Sequence, residues 1–148
     1  MDSESVVVEL FERFPKLWAA YEKQFKDAMG RPADPYFVFG SVLMPALQDG
    51  MNSGDLATIL PICAFLEDVA EAARNYRGLE ALLHVEVGEW LRGVENEAYL
   101  TPWLGTETKR ICGYVPGLAT QRRGVQAEQK QHTLFDRISR WLRTLAGR

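Results

Sequence analysis

Two cysteines and two histidines are all that this 148-residue chain holds of the side chains most used for metal ligation and nucleophilic chemistry. Cys63 and Cys112 have apolar neighbours and no histidine at matching spacing. A structural zinc site is therefore excluded, and free, buried, inert thiols are expected, as in a reducing compartment. Glycine-rich phosphate loops and the HExxH, GxSxG and CxxC patterns are missing, so neither a cofactor nor an enzymatic activity is expected. Long apolar runs are missing too. The longest, residues 59–66, contains Pro61 and falls far short of the roughly 20 residues that a membrane helix needs. The opening MDSESVVVELFERF is acidic where a secretory leader is basic, which points to a cytoplasmic protein.

What is present suits one compact α-helical domain. Hydrophobic residues make up 47% of the chain and aromatics 11%, ample for a core at this length. The apolar spacing is helical nearly throughout and no β alternation competes with it. Asp2 or Ser3 can cap a first helix that buries Val6, Val7, Leu10, Phe11 and Phe14, and Pro15 suits the first turn of a second. Residues 37–48 read as helical with a kink or restart at Pro45. Asn52 or Ser53 is placed to cap a helix running to about residue 74, bent or divided by Pro61. After a tight reversal at residues 75–78, a further helix follows to about residue 91, completing a central antiparallel hairpin. Gly105 is placed to end a short aromatic turn in a left-handed conformation, and Thr106 to cap a helix that Pro116 stops. The expected architecture is a single irregular all-α bundle of six to eight helices over residues 1–119. A polar linker over 120–132 then leads to an amphipathic helix over 133–148. In that last helix Leu134, Phe135, Ile138, Trp141, Leu142 and Leu145 share an arc of about 120° opposite Arg137, Arg140 and Arg143.

Charge is divided unevenly. Residues 1–120 carry 18 acidic and 10 basic side chains, whereas residues 121–148 carry 2 acidic and 7 basic. An acidic body favours basic partners and disfavours nucleic acid and anionic membranes. Three carboxylates project onto apolar stripes: Glu67 between Leu60 and Cys63, Glu86 between Leu82 and Trp90, and Glu89 at that stripe's border. Such groups must be hydrogen-bonded, paired or protonated. Facing each other across the hairpin they would suit acid–base work; without a nucleophile or histidine beside them, acceptance of loop N–H groups or pairing with Arg110 fits better. His84, with Glu80 four residues before it, lacks the spacing of a helical metal site. Tyr99 and Trp103 lie beside Glu95 and Glu97, an acidic rim around aromatics that suits a basic partner.

The stretches ICAFLEDVAEAARNYRGLEALLHVEVGEWL and YLTPWLGTETKRI resemble a family of small helical bacterial proteins that includes immunity proteins against polymorphic or contact-delivered toxins. The likeness covers roughly residues 10–115. It rests on a Phe-Leu-Glu helix, a helix ending in Glu-x-Leu and a Leu-Gly-x-x-Thr-Lys segment. It implies that Glu67, Glu89, Thr106 and Thr108 occupy family positions and fix the hairpin against the following helix. It also implies a cytoplasmic protein that binds and neutralises a cognate toxin. An adaptor that docks through its C-terminal helix on a partner, on a second copy as a homodimer, or on a membrane is the alternative.

Overall fold

A computed structural model describes residues 1–25, 34–118 and 121. The expected linker over 120–132, apart from Gln121, and the expected helix over 133–148 lie outside the described residues. The described chain is all-α, without a strand among the described residues.

The N-terminal layer is built on one capped turn and an aromatic ladder. The Asp2 side chain accepts the N–H groups of Glu4 and Ser5 and launches helix α1, Val6–Arg13, which buries Val6, Val7 and Leu10. Pro15 opens α2, Pro15–Phe25; its missing N–H costs nothing in a first turn. Phe11, Trp18, Tyr21, Phe25 and Phe37 then pack ring against ring in series, with centroids 4.8–5.8 Å apart and only Trp18 and Tyr21 stacked face to face.

The second layer starts where Asp34 accepts the Tyr36 N–H and caps α3, Pro35–Val38. This turn runs directly into a π-helical segment, Phe39–Leu43, and then into α4, Met44–Ser53. Pro45 explains the wide turn: it has no N–H, and its ring would clash with the carbonyl four residues back in a regular α-helix. Gly54, left-handed at φ 67°, ends α4. Asn52 and Ser53 therefore belong to the end of α4 and do not cap the next helix. That role falls to Asp55, which accepts from the Ala57 N–H and the Thr58 hydroxyl. Helix α5, Leu56–Ala73, continues unbroken through Pro61, whose position faces solvent.

Helix α5 is the hub of the core and packs against α4, α6 and α8. Its apolar face holds Ile59, Ile62, Cys63, Phe65, Leu66, Val69 and Ala70, each at most 1% exposed. After residues 74–76 the chain turns into α6, Arg77–Leu82, a second π segment, Leu83–Gly88, and α7, Glu89–Gly93. The two π segments touch each other, and the second also packs on α8, Thr106–Cys112. Gly88 makes that approach possible, since a methyl there would sit 3.2 Å from the Cys112 carbonyl oxygen. Helix α8 stops at Gly113, left-handed at φ 57°, three residues before Pro116. The Tyr114 N–H closes back on the Lys109 carbonyl at 2.9 Å.

Candidate functional site

Between α7 and α8 the chain folds into a short irregular connection that carries most of the polar residues of interest. Val94 is extended, Asn96 is left-handed at φ 60°, and residues Glu97–Leu100 form a 3₁₀ turn. In a 3₁₀ turn residues three apart eclipse one another. Glu97 and Leu100 accordingly both face inward, at 1% and 0% exposure, as does the extended Val94 at 8%, while Tyr99 remains 44% exposed. Asparagine is among the few residues that adopt the left-handed conformation at low cost. At position 96 it sends Glu95 outward and Glu97 inward.

Glu95 and Tyr99 come together. They line one cleft of about 540 Å³ with Met51, Asn52, Asn96 and Ala98. A second cleft of about 540 Å³ adjoins it, shares Asn52, Glu95 and Asn96, and adds Gln48, Glu89 and Trp90. Trp103 lies one turn on, 37% exposed, and lines neither cleft. Glu97, expected on the rim with Glu95, is instead buried, because the 3₁₀ turn aligns it with Leu100 and not with Tyr99. Its two carboxylate oxygens are buried side-chain atoms without a hydrogen-bond partner among the described residues. Its backbone is well held: the Tyr114 hydroxyl donates to the Glu97 carbonyl at 3.0 Å and meets the Thr101 hydroxyl at 2.9 Å. Burial pushes the Tyr114 phenol up, the Thr101 bond opposes this, and the charge of Glu97 adds to it.

The other singled-out carboxylates go to three separate places. Glu67 reaches from α5 to the start of α8. One oxygen accepts the Glu107 N–H at 3.0 Å; the other accepts the Thr108 N–H at 2.9 Å and the Thr108 hydroxyl at 2.8 Å. The free N–H groups of a helix start are thus satisfied by a side chain from another helix. Burial pushes Glu67 up, but the Thr108 and Glu107 N–H groups and the Thr108 hydroxyl outweigh it, leaving the carboxyl below its ordinary value. Thr106, expected as the cap and as buried, is exposed and makes no capping bond, because Glu67 has taken the groups it would serve. Gly105 is not left-handed either, at φ −68°. It is required for room, since a methyl there would overlap the Glu67 carboxylate.

Glu86, half-buried on the second π segment, lies against Gly40 of the first, where a methyl would overlap its carboxylate. Burial pushes Glu86 above its ordinary value and the charge of Asp34 adds to that. Glu89, expected inside, is exposed and paired with Arg92: it stands at the start of α7, where the chain has just passed the wide turn. Arg110 pairs with Glu107, which also binds Arg74 at 3.1 Å; those guanidiniums hold Glu107 below its ordinary value. No two of Glu67, Glu86 and Glu89 share a hydrogen-bond partner. The His84 ring contacts the Ile111 carbonyl at 3.3 Å. Burial pushes the Cys63 and Cys112 thiols up to about 11 and about 12, so neither is a thiolate near neutrality. Among the described residues no group of three or more His, Cys, Asp or Glu side chains is placed to hold a metal ion. No helix among them is long and apolar enough to cross a membrane.

Sequence reasoning missed Asn96 and Gly40, and it gave Asn52 and Gly105 other roles than the cleft lining and the room for Glu67 that they supply. A polar Asn between two glutamates in a short loop is the one local signal that pointed to a left-handed turn. Comparisons with protein-family models, with curated proteins and with solved structures give no match for this chain.

Proposed function

We propose that this is a cytoplasmic immunity protein that neutralises a cognate toxin by binding it, through the face that carries Glu95 and Tyr99. The observation that supports the reading best is their convergence on one cleft, with Glu89 in the cleft beside it. An exposed aromatic flanked by carboxylates suits a basic protein surface. The excess of 18 acidic over 10 basic side chains in residues 1–120 would speed the approach of such a partner. In this reading α5 and residues 77–93 are an antiparallel hairpin that serves as the rigid mount, and the Glu67 joint keeps α8 and the connection before it in place. The toxin assignment draws on the resemblance of residues 10–115 to immunity proteins.

The test is co-expression of the tagged full chain with the product of its neighbouring gene. A stoichiometric complex and rescue of growth are expected, both lost in Glu95→Lys/Tyr99→Ala while the variant keeps its helical circular dichroism. Rescue by that variant would overturn the assigned face. A harmless neighbour that does not bind would overturn the immunity reading.

A further inference from the structure

The outward face of a surface helix is ordinarily polar, and single exposed apolar side chains on it need no explanation. Helix α5 departs from that pattern along its first half. Leu56 and Leu60 are 39% and 42% exposed, and Ala57, Pro61 and Ala64 are exposed with them. At 100° per residue these five share an arc of about 140° that no polar residue interrupts. Acidic side chains return on the same arc only further along, at Glu67, Asp68 and Glu71. To one side the stripe opens into a cleft of about 570 Å³, which Ala57 and Pro61 line with Phe14, Pro15, Leu17 and Ala46. Asp49, Asp55, Arg13 and Lys16 also line it, and Arg13 is already held by Glu9 and Asp68.

A continuous exposed apolar patch calls for an occupant, and size, pattern and charge choose among the candidates. The stripe is about 12 Å long and about 10 Å wide. A standard interface between two copies needs about 800 Å² from each, far more than this. A tethered segment is not held to that area, because its effective concentration is high. Residues 133–148 carry the matching surface, with Leu134, Phe135, Ile138, Trp141, Leu142 and Leu145 on one arc of helical spacing. Their charge matches as well. Residues 121–148 hold 7 basic and 2 acidic side chains against 10 basic and 18 acidic in residues 1–120, and Arg137 falls about 40° from Trp141, at the border of the arc. From Gln121 to residue 133 an extended chain spans up to about 40 Å. A small domain is about 30 Å across, so every face lies within reach.

We infer that the apolar stripe of α5, with the cleft beside it, is the seat of residues 133–148. Their Leu, Phe, Ile and Trp side chains lie against Leu56, Leu60 and Ala64. Arg140 and Arg143 face solvent, and Arg137 faces the acids that flank the stripe. The inference is independent of the binding face proposed above, which lies on other elements.

The experiment uses the full chain, with trypsin cleavage after Arg137, Arg140 and Arg143 followed by mass spectrometry. Leu60→Lys/Ala64→Lys keeps good helix formers on α5 and raises that cleavage rate at least fivefold with unchanged helical circular dichroism. Ile138→Gln/Leu142→Gln, which strips the other partner, does the same. Val8→Lys, on the 57% exposed Val8 of α1, leaves the rate within twofold. Independently, Leu60→Cys/Leu142→Cys closes a disulfide within one chain under oxidised glutathione, and Val8→Cys/Leu142→Cys does not. Wild-type cleavage in Leu60→Lys/Ala64→Lys overturns the seat. So does an equal rise in Val8→Lys, or preferential closure of the Val8 pair. Sedimentation should give a monomer. A dimer that Leu60→Lys/Ala64→Lys dissociates, or a disulfide that joins two chains, would assign the stripe to a second copy and overturn the inference.

Discussion

Glu67 on α5 and Glu97 in the connection between α7 and α8 both turn inward, and they are held in opposite ways. Glu67 accepts three hydrogen bonds from the first turn of α8 and sits in a space that Gly105 keeps open. Glu97 is the more deeply buried, yet its oxygens meet no donor among the described residues. A satisfied carboxylate fixes a joint between elements, whereas an unsatisfied buried one opposes folding. The Glu67 carboxylate therefore holds its region together, and the burial of Glu97 takes stability away from its own.

The contrast breaks most readily at the joint. Gly105→Ala forces its methyl onto the Glu67 carboxylate and should cost about 2–4 kcal/mol, the range for overpacking combined with a lost buried cap. The control is Gly93→Ala, where a methyl meets nothing within 4 Å and the change should stay within about 1 kcal/mol, toward higher stability. Urea denaturation of both variants checks the difference. Glu67→Ala should lose about 2 kcal/mol, and a cycle with Thr108→Val should show a coupling of at least about 0.5 kcal/mol, because the two side chains share a bond.

On the other side of the comparison, Glu97→Leu should gain about 1 kcal/mol or more, as replacement of buried charge by apolar volume commonly does. A loss there would erase the distinction between the two regions. Asn96→Val should cost about 1–2 kcal/mol through its disfavoured left-handed backbone, while Asn96→Gly should be nearly neutral.

The smallest effects are in pH dependence. Glu67 has a folded pKa below its ordinary value. Its contribution is therefore complete above the ordinary glutamate value of about 4.3 and is lost as pH falls through the depressed one. Glu67→Gln should flatten the acid limb of a stability profile. Glu86 is shifted upward and works with the opposite sign: it favours the folded state at low pH and ceases to do so as pH rises through its raised value. Glu86→Gln should flatten that decline, as followed by thermal unfolding between pH 4 and 8.

The all-helical fold was legible because apolar residues three and four apart mark buried helix faces wherever the turn is regular. The failures cluster where it is not. The reading of Glu97 as a rim residue rests on its place beside Glu95 in a polar stretch, but the 3₁₀ turn puts it on the side of Leu100. Glu89 was assigned to the interior on a wheel that took no account of the π segment just before it. Thr106 has the chemistry of a cap and sits at a helix start, yet the cap arrived from α5, 39 positions earlier in the chain. A side chain 40 residues distant from the N–H it serves leaves no mark in local sequence. Gly105 was read for its backbone freedom, whereas the structure uses its lack of a side chain.

The two π segments also set the aim of everything downstream. Each takes one more residue per turn than an α-helix and so resets the phase of the following helix by about 100°. On an unbroken α-helical wheel Leu91 would stand about 120° from Leu79; the reset returns it to the buried side, where it is 3% exposed. The outward bearing of Glu89, and of the chain that leads on to Glu95, depends on that single surplus residue. Deleting one residue from the span 83–88 would work like a slipped tooth in a gear. Helix α7 would still form, but its apolar side would rotate toward solvent, and the acidic cleft would face a different part of the molecule.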